Sequence, residues 1–152
     1  MLRSQFNDSL KAAMRSKDQQ ALATIRLILA ALKDRDIQAR GSGKDEGIDD
    51  QEILEMLQKM VKQRRESIAL YEKGNREDLV AREKAEIEVI ERFLPKALDE
   101  EETQSAINEA VEEVGATSIK EMGRVMALLK ERYPGRMDFA KASQLVKQRL
   151  TT

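Results

Sequence analysis

The sequence predicts an all-α protein, with a four-helix N-terminal unit over residues 1–94 and a small three-helix C-terminal bundle over 97–150. Three observations predict it. Ala, Glu, Lys, Leu and Arg fill about half of the 152 residues, the composition of long helices. Apolar residues recur every three to four positions in seven separate segments. No segment shows the strict alternation or β-branched clustering that marks a strand.

In chain order, Leu2, Phe6, Leu10 and Met14 give a short amphipathic first helix that stops at Lys17-Asp18. From about Asp18 to Ala39, Leu22, Ile25, Leu29 and Leu32 form the stripe of a second. Gly41-Ser42-Gly43-Lys44 and Gly47 then mark a flexible connector. Asp49 with Glu52 reads as a capping box, and Ile53, Leu57, Met60, Val61, Ile68 and Tyr71 as the inward face of a long third helix. Lys73-Gly74-Asn75 ends it, with Asn75 as the cap of a fourth helix bearing Leu79, Ile87, Ile90 and Leu94. Pro95 drives its neighbour out of helical geometry and marks the boundary between units. Asp99 with Glu102 opens a fifth helix along Ile107, Val111 and Val114, and Gly115 closes it. Ser118 with Glu121 reads as a third capping box, before Met122, Val125, Met126 and Leu129. Pro134-Gly135 turns the chain, and Asp138 caps a last helix carrying Ala142, Leu145, Val146 and Leu150.

Histidine, cysteine and tryptophan are all absent. That excludes an imidazole base, a thiolate nucleophile, disulfides and histidine- or cysteine-ligated metal centres. Side-chain acid–base chemistry falls to carboxylates, lysines and two tyrosines. With 3% aromatic residues, base stacking has few candidates. The net charge of −1 is unevenly spread: +2 over residues 1–74, −8 over 75–114 and +5 over 115–152. A basic end behind an acidic middle points to a polyanionic partner for that end. No apolar run reaches the roughly 20 residues of a membrane-spanning helix. Arg3, Lys11 and Arg15 give the first helix some likeness to an organelle presequence, but Asp8 and the lack of an apolar cleavage region argue against it, and the expected location is cytoplasmic.

Gly43-Lys44 has the look of a phosphate loop, yet Asp45 stands where Ser or Thr is required, Gln38 replaces the first glycine and no strand precedes it. The run from Asp99 to Glu102 complements a helix N-terminus without needing a cation, so neither a metal nor any other cofactor is expected. Three charges fall on apolar stripes: Arg26 between Leu22 and Leu29, Arg64 between Met60 and Ile68, and Glu83 between Leu79 and Ile87. Unpaired burial of charge is costly, so Glu83 is expected to pair with Arg64 or Arg26. In the basic end, Lys120 and Arg124 stand four apart opposite an apolar face, Arg136 lies in the turn before the last helix, and Lys141 and Lys147 flank its solvent side. These five are the candidate nucleic-acid contacts. Gly123, inside a helix, is expected to admit close approach of a neighbouring helix.

Several stretches together carry a resemblance. Lys62-Gln63-Arg64-Arg65-Glu66-Ser67-Ile68, Phe93-Leu94-Pro95 before an acidic cap, Met122-Gly123-Arg124-Val125-Met126 and Pro134-Gly135-Arg136-Met137-Asp138 resemble the YqeY family. Lys11-Ala12-Ala13-Met14 and Ile25-Arg26-Leu27 are similar too. The resemblance covers nearly the whole chain. It implies kinship with the tail domain of the B subunit of the glutamine-dependent aspartyl/glutamyl-tRNA amidotransferase, where the tail helps to hold tRNA. It also brings the family's association with carbon–nitrogen ligase activity using glutamine as amide donor. Two positions depart from the family pattern: Phe139 stands where a glycine usually follows the Asp of the turn, and Phe93 replaces a frequent Tyr. The amidase serine with its supporting groups and a nucleotide-and-metal site are not discernible in this sequence. The expected role is therefore a non-catalytic accessory protein whose basic C-terminal unit contacts tRNA. The alternative is an adaptor that docks a translation-related partner such as a tRNA-processing or amidotransferase protein.

Overall fold

A computed structural model describes residues 1–151, all of whose regular structure is helical. Among the described residues, seven α-helices and one 3-10 turn fall into two compact units, Met1–Pro95 and Lys96–Thr152. The first unit contains α1 (Leu2–Ser16), α2 (Gln19–Gly41), α3 (Asp50–Lys73) and α4 (Glu77–Glu91). The second contains α5 (Glu100–Val114), the 3-10 turn Ile119–Glu121, α6 (Met122–Arg132) and α7 (Phe139–Thr151).

In the first unit α3 and α4 form an antiparallel hairpin, and α2 packs against α1, α3 and α4. The core is largely aliphatic, with Ile28, Ile53, Leu57 and Ile90 fully buried alongside Phe6. Phe6 and Phe93 meet edge to face, centroids 4.9 Å apart at 78°, a favoured geometry for two aromatic quadrupoles. Phe93 thus joins α1 to the end of α4. On α2 the buried residues are Ala21, Thr24, Ile25, Ile28, Leu32 and Asp36, while Leu22 and Leu29 are only partly buried. The inward face is rotated from the expected stripe because α2 carries apolar side chains on both sides.

The connector between α2 and α3 is tied down, in contrast to the flexible loop expected. Arg3 of α1 grips both oxygens of Asp36, at 2.7 and 2.8 Å, and its Nη2 also donates to the Ile48 carbonyl. Asp36 Oδ1 accepts from the Ile48 N–H at 3.0 Å. Gly47, with φ +85°, passes so close that a Cβ there would overlap the Asp36 carboxylate. Lys44 reaches Glu52 at 2.9 Å, beside the capping box that Asp49 and Glu52 form at the start of α3. The first helix is therefore built into the fold through Leu2, Phe6, Ala13 and Arg3.

Two caps differ from expectation. Asn75 adopts a left-handed conformation (φ 55°) that turns the chain, and Arg76 takes the cap position of α4 without a side-chain bond to the helix. Ser118 makes no capping bond; instead the Glu121 carboxylate accepts from the N–H and hydroxyl of Thr117, and a 3-10 turn precedes α6. The capping box at Asp99 and the Asp138 cap, which accepts from the N–H groups of Ala140 and Lys141, form as their sequences require.

The second unit closes on Ile107, Ala110, Val125, Leu129, Ala142 and Val146. Phe139 is half-buried and packs against this core, which gives the aromatic at the turn a structural role.

Candidate nucleic-acid interface

The charge of the second unit is divided between its helices. As a whole it carries nine basic and ten acidic side chains, so the basic character of residues 115–152 is offset within the unit by the acids of α5 and its cap. Cations of α6, α7 and their flanking turns thus occupy one part of a nearly neutral bundle.

Of the five candidate residues, Lys120, Arg124, Lys141 and Lys147 are exposed, and none forms an ion pair among the described residues. Lys120 lies in the 3-10 turn rather than in α6, so it and Arg124 are not separated by one α-helical turn. Lys141 sits in the first turn of α7. Six residues further on, Lys147 points about 120° away from it around the axis. The four cations thus do not share a single helix face.

Arg136 is bound differently. It is half-buried; its Nε donates to the Lys96 carbonyl at 3.0 Å, and its own carbonyl accepts from Leu98 N–H at 2.8 Å. It fastens the segment that leads into α5. Beside it opens a shallow groove of about 430 Å³ lined by Glu101, Glu102, Ser105, Glu109 and Tyr133, surroundings that repel a phosphate. A second groove of about 400 Å³ brings Arg124 alongside Glu113 and Glu131, and Glu113 is already engaged by Arg132.

Gly123 does not receive a neighbouring helix. It is exposed, and a Cβ built on it would meet nothing within 4 Å. With exposed Ala127 one turn later it leaves a bare strip of α6 beside Arg124. Sequence reasoning detected this glycine through its helix cost, but the occupant it inferred is absent from the fold.

The three charges on apolar stripes also sort differently. Arg64 does form a largely buried ion pair, with Nε 2.9 Å from Glu86 Oε2 and side-chain exposures of 16% and 12%. Its partner is Glu86, one turn beyond Glu83, because the buried face of α4 runs through Glu86, Ile87 and Ile90. Glu83 is only partly buried and makes no ion pair among the described residues. Arg26 is exposed, since the buried face of α2 is turned away from it.

Two all-helical units, the second with four exposed cations that form no ion pair among the described residues, make up this small helical protein. A family model described as Yqey-like protein matches residues 3–150, and the chain belongs to this family. Similar proteins include three yeast proteins called altered inheritance of mitochondria protein 41, mitochondrial. That of Lachancea thermotolerans is 40% identical over 85 residues, covering 56% of this chain and 43% of the relative. That of Kluyveromyces lactis is 38% identical over 99 residues, 63% of this chain and 51% of the relative. That of Vanderwaltozyma polyspora is 32% identical over 120 residues, 74% and 62%. The chain spans about half the length of the curated relatives it matches. The cytoplasmic location expected from composition is corrected by this comparison, because these relatives are named as mitochondrial proteins.

Proposed function

We propose that this protein is a non-catalytic helical accessory factor that contacts the backbone of tRNA through α6, α7 and their flanking turns. The observation that carries the reading is the set of four exposed cations, Lys120, Arg124, Lys141 and Lys147, which form no ion pair among the described residues although Arg124 lines a groove with Glu113 and Glu131. Phosphates and sugar hydroxyls are the natural partners of such a surface, since aromatic side chains for stacking are scarce. The open space at Gly123 lets a sugar–phosphate strand approach the backbone beside Arg124. Arg136 is assigned to holding the segment that leads into α5, through its bond to the Lys96 carbonyl beside a groove that Glu101 and Glu102 also line. The kinship with a tRNA-holding tail domain that the sequence resemblance implies supports the same reading, in which the ammonia-producing and nucleotide-using chemistry belongs to other proteins.

Titration of the full chain with labelled tRNA across 50 to 200 mM salt tests it. Four neutralised phosphates give a log–log slope of about −3 to −4. Lys120→Glu with Arg124→Glu should lower affinity at least tenfold at the lower salt. Absence of binding at 50 mM salt, or affinity unchanged in the double variant, sinks the reading.

A further inference from the structure

The solvent face of α2 carries a second organised surface. Ala23, Leu27, Ala30, Asp34, Ile37 and Gly41 follow one another at spacings of four, three, four, three and four. At 100° per residue they fall within about 80° of arc, on the side opposite buried Ile25, Ile28 and Leu32, and run about 27 Å along the helix. All six are exposed; Leu27 and Ile37, at 46% and 55%, are among the most exposed large apolar side chains of the chain. This is the seam spacing of a coiled coil, in which small and large residues alternate so that a facing helix can seat its side chains between them. A helix apolar on two opposite faces ordinarily has neighbours on both. Here α1, α3 and α4 serve the buried face.

The flanks of the seam state what kind of helix fits. On one side the bordering positions are Thr24, Ala31 and Gln38, of which Thr24 is buried and Ala31 partly buried against the unit's own core. On the other side the heptad-spaced positions are Arg26, Lys33 and Arg40, all exposed and none in an ion pair among the described residues. The open border is uniformly basic. A second copy of this chain supplies no match: run antiparallel it sets this basic border against itself, and run parallel it offers Thr24, Ala31 and Gln38 in place of acids. A lipid surface is also disfavoured, because Asp34 sits in the middle of the strip and three of its six residues are Ala or Gly.

We propose that the outer face of α2 docks an amphipathic helix of a partner protein, one with an apolar seam bordered by Asp or Glu and a cation at the level of Asp34. The apolar seam supplies contact area, and the basic border selects the partner and fixes its register. This surface belongs to the N-terminal unit and stands or falls independently of tRNA contact. It also gives Arg26 a place: it borders a docking seam instead of entering the core.

The test uses fluorescence anisotropy of the full chain with two labelled synthetic three-heptad peptides. Both carry Leu at the seam and one Lys to face Asp34; one has Glu at the bordering positions and the other Lys. The Glu-bordered peptide should bind at least tenfold more tightly. Leu27→Asp with Ile37→Asp should lower that affinity at least tenfold while helicity by circular dichroism is retained, since both side chains are exposed. Arg26→Glu with Lys33→Glu, which leaves the seam intact, should reverse the preference between the peptides. Equal affinity for both peptides, or affinity for the Glu-bordered one that survives Leu27→Asp with Ile37→Asp, overturns the proposal. Cosedimentation with phosphatidylserine vesicles that Ile37→Asp abolishes assigns the face to lipid and overturns it. Sedimentation equilibrium showing a dimer that Ile37→Asp dissociates assigns it to self-association and also overturns it.

Discussion

Arg64 on α3 and Glu86 on α4 are joined at 2.9 Å in the waist of their helix hairpin, and the Arg64 Nη1 donates to the Met60 carbonyl at 3.2 Å. Arg82 adds a longer contact to the other Glu86 oxygen at 3.8 Å. The pair fixes the register of the two helices with little solvent around it. Removing one partner leaves the other charge poorly solvated, a loss of about 3 kcal/mol. Removing both and filling the space is far milder. Arg64→Met or Glu86→Leu alone should therefore lower the urea midpoint sharply, while the double substitution recovers most of the loss. If the double variant is as unstable as the sum of the singles, the pair does not act as a unit.

The α4 pairing shows where sequence reasoning reached and where it stopped. A charge on the apolar stripe of α3 was sufficient to demand a buried acidic partner. The choice of Glu86 over Glu83 depends on the rotation of α4 about its axis, which Leu79 and Ile87 leave uncertain by one turn. The same limit applies to α2: with Leu22, Leu27, Leu29 and Ile37 spread around the helix, hydrophobicity alone does not choose the buried face. Helix existence, the capping boxes at Asp49 and Asp99, and the exposure of Lys120, Arg124, Lys141 and Lys147 depend on local spacing and were legible. The Arg3–Asp36 contact spans 33 residues and has no local signature.

Asp36 makes stability sensitive to acid. The Arg3 guanidinium, assisted by the Ile48 N–H, holds its carboxyl below the usual 3.8, at about 2, although burial acts in the opposite direction. The depressed folded-state value means that the stabilisation is complete above about pH 4 and disappears as pH falls toward 2. Solvent around the half-exposed Arg3 screens the contribution to about 1–2 kcal/mol. Asp36→Asn should flatten the stability–pH curve in that window. An unchanged slope between pH 4 and 2 would sink the assignment.

Gly47 and Gly123 should respond oppositely to alanine. At Gly47 a side chain must adopt φ +85° and displace the Asp36 carboxylate, so Gly47→Ala should cost at least about 2 kcal/mol. At Gly123, in open space within α6, alanine should stabilise the fold by about 1 kcal/mol. Thermal unfolding measures both. The proposed tRNA contact adds a second readout: Gly123→Ala should weaken tRNA binding severalfold despite its greater stability. Stabilisation with unaltered affinity would remove Gly123 from the interface.

Helix caps provide a paired comparison. Asp99→Ala removes an acceptor for the Glu102 N–H at 2.7 Å and should cost about 1 kcal/mol. Ser118→Ala removes no capping bond and should change stability by less than about 0.5 kcal/mol. Chemical denaturation distinguishes them, and equal losses would contradict the cap assignments.

The contact of Arg3, Asp36 and Gly47 also bears on how this sequence can diverge. A shorter acid at 36 is unavailable, a side chain at 47 displaces the carboxylate, and a lost guanidinium at 3 strands it. Each change is harmful alone, and the first tolerable route out passes through simultaneous replacement. Across a deep set of related sequences, positions 3, 36 and 47 should therefore behave as one inherited character, changing together or not at all, although they belong to a helix start, a helix interior and a loop.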